Sequence, residues 1–280
     1  MSKGLLFLIG GAEDRQGDKW VLRHLVQRTR ASNIVIVPTA SAYPRDISCD
    51  FTDAFGDLGI DHIACLDIRS PHEADREAHL RELETADVVF FSGGDQVKLV
   101  NTLMHTRFID RVRQRFEAGE LHVAGTSAGA TAAGNPMIFH GNRSGLKKGT
   151  VKHADGFGFI DGVVVDTHFT KRRRLFRLSQ LLLSGRCQKG IGLDEDTGIL
   201  IGPDHQFEVI GAGMVTVLNS TSVSGSNFRK AENGDMLRFN NMRLGMLPPG
   251  SRFSIHKWSV IKSTEGRQPW LTPVVRWASK

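Results

Sequence analysis

Cysteine is scarce in this 280-residue chain: three residues, Cys49, Cys65 and Cys187, none of them in a CxxC pair. An odd count without that spacing argues against a disulfide framework and against a zinc site built on thiolates. Long apolar runs are missing as well. Nothing approaches the roughly 18–20 consecutive apolar residues that cross a bilayer. The opening MSKGLLFLIGG carries one short apolar run that ends at Gly10 and Gly11, just before Glu13 and Asp14. A signal peptide needs a longer apolar core and a small-residue cleavage site, so this start reads as a first strand. The expectation is a cytoplasmic protein with no membrane partner.

Metal-ligand spacing is also lacking. The densest histidine stretch, His72 to His79, has no i, i+4 histidine pair and reads as a solvated helix start. No metal and no cofactor is expected. Lys and Arg exceed Asp and Glu by 36 to 30, a net charge of +6. That excess is gathered at Lys171-Arg172-Arg173-Arg174 with Arg177, at Lys147-Lys148 and in the C-terminal tail. No finger, RNP motif or helix-turn-helix pattern accompanies it, so no nucleic-acid partner is expected.

What is present is a rhythm. Hydrophobic residues make up 40 % of the chain, and its thirty glycines are spread over ordinary apolar segments. Strands are predicted at 5–9, 34–37, 62–66, 88–91 and 121–124. Helices are predicted at 19–29, 50–58, 74–84, 97–105 and 108–118. Such alternation builds an α/β fold, a mostly parallel sheet with helices on both faces, whose ligands bind beyond the carboxyl ends of the strands. From about residue 211 the pattern changes to short strand-like pieces at 214–218, 236–239 and 253–258. The chain therefore reads as one catalytic α/β domain over 1–280, with 211–280 as a small β-rich, antiparallel C-terminal extension. The tail after Lys262, with Trp270 and Trp277, reads as an edge element, a dimer contact or a frayed end.

The sharpest local signal is Gly125-Thr126-Ser127-Ala128-Gly129, a GxSxG between a strand and a run of small residues. A serine on a tight strand-to-helix turn projects its hydroxyl, and small neighbours let a substrate approach. The bland alternative is a structural glycine turn. The N–H of Ala128 sits where one oxyanion donor belongs, and Gly93-Gly94 could supply another. Asp95 and Gln96 follow at that strand end, where polar side chains commonly face a ligand. His168, after the buried strand 162–165 and Asp166-Thr167, lies at the carboxyl edge expected to hold Ser127. It is the candidate base, or else a structural histidine. A helix starting near Phe169 would put Arg173 and Arg177 on one face, either as a solvated basic stripe or as a carboxylate clamp. The acid that fixes the histidine tautomer is one of Asp194, Glu195 and Asp196; the pattern does not choose among them.

The segments FFSGGDQ (90–96), GTSAGA (125–130), DTHFTKRRRLFRL (166–178) and GIGLDEDTG (190–198), in this order, resemble the cyanophycinases. These belong to a serine peptidase family that also contains an aspartyl dipeptidase. IGGAEDR (9–15) and IVPTAS (36–41) extend the resemblance over residues 4–200. It implies a flavodoxin-like α/β fold related to class I glutamine amidotransferases, and a homodimer. The implied activity is serine-type exopeptidase hydrolysis of cyanophycin at its β-Asp–Arg isopeptide linkage, through an acyl-enzyme, to β-aspartyl-arginine dipeptides. Carried over by motif, Ser127 is the nucleophile, His168 the base and Glu195 the acid, with Gly94 and Ala128 as the oxyanion hole. Gln96, Asp166, Thr167, Arg172, Arg174 and Arg177 would bind substrate. One departure stands out: Thr167 replaces the glutamine that cyanophycinases usually carry beside the histidine. The alternatives are an α- or β-aspartyl dipeptidase acting on short Asp-containing peptides and a non-catalytic binding member of the fold.

Overall fold

A computed structural model describes residues 3–141 and 146–261. Five apolar segments form the strands β1 (Leu6–Ile9), β2 (Asn33–Val37), β3 (His62–Cys65), β4 (Val88–Phe91) and β5 (His122–Thr126). The strands β1 (LFLI) and β4 (VVFF) are buried along their whole length. Both faces of a parallel sheet are covered, so these strands need no polar alternation. The five pair in parallel in the order β1-β5-β4-β2-β3. Beyond β1 the sheet continues antiparallel through Thr197–Ile201, Gln206–Gly211, Arg252–Ser254 and Ser259–Val260, nine strands in all.

Side chains alternate between two cores, as the two-residue period of a strand requires. Phe7, Ile9, Ile36, Val88 and Phe90 face Phe51 and Phe55 of the helix Pro44–Gly56 and Val21, Leu22 and Leu25 of Trp20–Thr29. Leu6, Leu8, Val35, Val89 and Phe91 face the opposite core. That core is closed by the helices Gln96–Leu103 and Arg107–Ala118 and by a second sheet. The second sheet has six strands, in the order Arg243–Leu247, Val215–Asn219, Lys189–Leu193, Val163–Asp166, Gly134–Asn135 and Ile160–Asp161. Its far side packs Val164 and Leu218 against Leu178, Leu181 and Leu182 of the helix Leu175–Leu183.

Several expectations need correction. The strand before His168 belongs to the second sheet, where Val163–Asp166 pairs in parallel with Lys189–Leu193, and not to the sheet that carries Ser127. Two buried apolar runs look alike in sequence whichever sheet they join. No helix begins at Phe169: His168 and Arg173 have φ of 47° and 54°, a left-handed backbone that delays the helix to Leu175. Asp95 has a structural task at that strand end. It is the N-cap of Gln96–Leu103, accepting from the N–H groups of Val97 and Lys98. The helix expected at 50–58 starts six residues earlier because Pro44 sits at its first turn, where a missing N–H costs nothing. The helix expected at 74–84 is two pieces, Pro71–Ala74 and Glu77–Thr85, with extended Arg76 between them. Residues 236–239 form no strand; Met236 makes one isolated bridge, with Lys147. The tail with Trp270 and Trp277 lies outside the described residues. Among those residues, no helix is long and apolar enough to cross a membrane.

Phe90 is fully buried, with ring centroids 4.7 Å from Phe51 and 5.4 Å from Phe55. Phe90→Ala should lower the unfolding free energy by about 3–5 kcal/mol, read as a drop in the urea midpoint. A loss below about 1 kcal/mol would mean that this cluster is not the core of the helix-covered face.

Candidate active site

The residue after β5 is Ser127, at φ 50° and ψ −106°. A non-glycine residue held there is strained by about 1–3 kcal/mol, and such strain persists only where the surroundings enforce it. Two backbone hydrogen bonds do so: Ser127 N–H donates to the Ile9 carbonyl at 3.0 Å, and Thr131 N–H donates to the Ser127 carbonyl at 3.0 Å. Space is the second constraint. A Cβ on Gly125 would lie 2.6 Å from the Gly129 carbonyl carbon, and one on Gly129 would collide with the Phe91 carbonyl. The helix that follows, Ala128–Ala133, consists of small residues and is buried throughout.

The second sheet brings the histidine. His168 N–H donates to the Gly10 carbonyl at 2.9 Å, and Phe169 N–H donates to the Leu193 carbonyl at 3.0 Å. This pins the residue between the end of β1 and the strand Lys189–Leu193. The ring lies so close to β1 that a Cβ on Gly11 would sit 2.5 Å from Nε2. Nε2 is 2.9 Å from Ser127 Oγ, and Nδ1 is 2.8 Å from Glu195 Oε1. A carboxylate only accepts, so Nδ1 carries the proton and Nε2 is left to accept from the serine hydroxyl. Burial pushes the His168 pKa below the usual 6.5; the Glu195 hydrogen bond opposes this, and the Arg172 and Arg174 cations add to it. The imidazole is thereby kept neutral at ordinary pH.

The three acids left open by the sequence have different partners. Glu195 alone reaches the histidine ring. Asp194 accepts from the N–H groups of Thr170 at 2.9 Å and Met214 at 3.2 Å. Asp196 accepts from the Asp14 N–H at 3.1 Å, and its own N–H donates to the Gly11 carbonyl at 2.9 Å. These two aspartates fasten the turn that presents Glu195.

The residues expected to bind substrate separate into two groups. Asp166 and Thr167 are 0 % and 2 % exposed, and Arg177 is 5 % exposed. Arg177 grips Asp166 through two hydrogen bonds, that from Nε being 2.7 Å. Arg174 reaches the same carboxylate at 3.2 Å and the Thr167 carbonyl at 2.7 Å. Burial lowers the Arg174 pKa to about 10, against the pull of Asp166. The Thr167 hydroxyl faces Thr131 at 3.5 Å rather than open space. Gln96 is half-buried and donates to the Ile138 carbonyl at 2.8 Å, while Arg172 is exposed beside the histidine. Gly94, at φ 140°, packs so tightly on Ala40 that no side chain fits there, and Gly93 approaches Ser127 closely. Glu13, in the IGGAEDR segment, was given no role by sequence reasoning, yet its buried carboxyl meets Thr126; an acid just past a Gly-Gly strand end was the available signal. Among the described residues, no group of three or more His, Cys, Asp or Glu could hold a metal ion.

Known proteins resemble this chain in sequence and in fold. The model of peptidase family S51 matches residues 6–210. A cyanophycinase of Trichormus variabilis is 34 % identical over 263 residues, 93 % of this chain and 88 % of that protein. A cyanophycinase of Geminocystis herdmanii is 35 % identical over 253 residues, 89 % of this chain and 93 % of its own length. The crystal structure of a peptidase from an acI-B1 Actinobacterium superposes with a TM-score of 0.68 at 20 % identity, covering 90 % of this chain and 97 % of that one; at this identity it speaks for the fold.

Two measurements follow from this geometry. Asp166→Ala, which leaves the buried Arg177 cation uncompensated, should cost about 3–5 kcal/mol of stability; a change under 1 kcal/mol would contradict the pairing. In a proton NMR titration the His168 imidazole should change charge below pH 6.5, and Arg172→Gln should move that midpoint upward by removing a repelling cation. An unmoved midpoint would take Arg172 out of the histidine's field.

Proposed function

The chain belongs to peptidase family S51 and is a serine peptidase; from that premise we propose that Ser127, His168 and Glu195 are its catalytic triad and that cyanophycin, a poly-aspartate bearing arginine on its side chains, is the polymer it degrades. The observation that carries the reading is the unbroken Ser127–His168–Glu195 chain at 2.9 and 2.8 Å under a strained serine. Similarity to proteins named cyanophycinase supplies the substrate.

In this reading His168 Nε2, kept neutral by burial, takes the Ser127 proton as Oγ adds to the scissile carbonyl carbon. The N–H groups of Gly94 and Ala128 hold the oxyanion. The imidazolium, its Nδ1–H held by Glu195, gives that proton to the leaving amine nitrogen; the C–N bond breaks and an acyl-enzyme remains. Water then loses a proton to Nε2 and adds to the acyl carbon, and Ser127 leaves with its proton restored. Gln96, Arg172 and Arg174 line the pocket, where guanidinium forks suit substrate carboxylates. Asp166, Thr167 and Arg177 support that wall from behind. Product balance also corrects the expected bond. A β-aspartyl-arginine dipeptide keeps its isopeptide link, so the bond broken is the main-chain amide between aspartates; cutting the isopeptide link would free arginine instead. A homodimer and a cytoplasmic setting belong to the same proposal.

Digestion of purified insoluble cyanophycin, with the products identified by mass, tests this. The expected product is β-aspartyl-arginine, and Ser127→Ala should lower its release at least about a thousandfold. Free arginine as the first product would relocate the cut. Turnover of short aspartyl peptides alone would favour a dipeptidase, and no turnover of either would leave a binding member of the family.

A further inference from the structure

Among the described residues, buried charges come with partners of opposite sign, with one exception. Asp166 has Arg177 and Arg174, Lys19 has Asp57 at 3.0 Å, and His168 has Glu195. Glu13 is 6 % exposed and forms no ion pair among the described residues. Its one side-chain partner is the Thr126 hydroxyl, which donates to Oε2 at 2.5 Å. Burying a carboxyl without an ion pair is costly, and burial raises its pKa against the Thr126 hydrogen bond and the attraction of Arg15. The fold keeps it there nonetheless.

Its location suggests why. Thr126 ends β5, pairs with Ile9 of β1 and directly precedes the strained Ser127. Glu13 closes the turn after β1, in which Gly11 and Ala12 are both left-handed, at φ 92° and 50°. That same turn offers the Gly10 carbonyl to His168 N–H and the Gly11 carbonyl to Asp196 N–H. One short loop thus sets the backbone of the histidine and of the acid segment, and the Glu13–Thr126 hydrogen bond is the side-chain link between that loop and the serine.

We propose that Glu13, acting through the Thr126 hydroxyl, is a positioning residue that holds the loop after β1 in register with the serine turn, keeping Ser127 Oγ within bonding distance of His168 Nε2. This rests on the reading of Ser127 as nucleophile. Misplacement of reacting groups by about 1 Å can cost on the order of a hundredfold in rate, so the loss belongs in kcat and not in KM.

The test measures kcat, KM and the rate of covalent labelling by a fluorophosphonate in Glu13→Ala, Glu13→Gln, Thr126→Val and the double variant Glu13→Ala/Thr126→Val, with Ser127→Ala as control. Glu13→Ala and Thr126→Val should each lower kcat and the labelling rate about 10- to 100-fold with KM within about threefold. Glu13→Gln, which still offers an acceptor, should recover most of the rate. The double variant should be no slower than the slower single one, since both remove the same contact. A Glu13→Ala enzyme within twofold of wild type would overturn the proposal, as would a double variant whose loss is the product of the two single losses. Should Glu13→Ala fail to fold, Glu13→Gln set against Thr126→Val carries the same comparison: equal losses in both would overturn it. If instead Ser127→Ala labels as the wild type does, the nucleophile reading fails, a result distinct from any of these.

Discussion

The backbone hydrogen bond from His168 to the Gly10 carbonyl ties together two sheets that share no ladder. On one side lies β1, gripped by β5 in parallel and by Thr197–Ile201 in antiparallel, and so among the most constrained strands of the molecule. On the other lies a strand of the second sheet ending in Asp166. The serine follows a strand of the first sheet and the histidine a strand of the second, and Glu195 sits in the turn 194–196 that leads from the second sheet to the first. Their meeting is defined by main-chain groups, whose positions vary less than those of side chains. Gly11 has to be a glycine for the same reason: the imidazole occupies the space where its Cβ would stand.

Behind the histidine the electrostatics serve geometry before chemistry. Asp166 is fully buried and held by two arginines, an arrangement whose Coulomb gain is largely offset by desolvation. Its worth lies in fixing direction. Arg177 and Arg174 lock the strand end that leads into His168, and the Arg174 guanidinium also holds the Thr167 carbonyl. The turn over 169–174 then carries exposed positive charge beside a ring that burial already keeps neutral. Glu195, partly exposed, supplies the one opposing interaction at the ring's far nitrogen.

Much of this was legible in the sequence. The uninterrupted apolar runs at β1 and β4 could only be strands covered on both faces, and GxSxG flanked by alanines could open only a closely packed helix. The serine, the histidine and the acid segment singled out in that order are ones the structure brings within hydrogen-bond distance of one another. Three features were hidden because they depend on tertiary partners. Nothing in VVVD says which sheet it joins, since the burial pattern is the same in either. The acids of DEDT are alike in charge, and the Met214 and Thr170 amides and the Asp14 amide decide which two are fastened and which faces the ring. The arginine run reads as a helix until the left-handed backbone at His168 is known, a conformation imposed by its bond to Gly10.

The Ser127–His168 contact spans the boundary between two layers that are joined by packed apolar side chains and, at the site itself, by backbone hydrogen bonds and the turn 194–196. Apolar packing resists separation but directs it weakly, whereas hydrogen-bonded strands shift little within a sheet. Away from the site the spacing of the layers rests on apolar packing, while at the site it rests on main-chain hydrogen bonds. Strain between the layers is thus met at the site by main-chain bonds and elsewhere by side-chain packing, so the Ser127–His168 contact sits at the stiffer end of the boundary it spans.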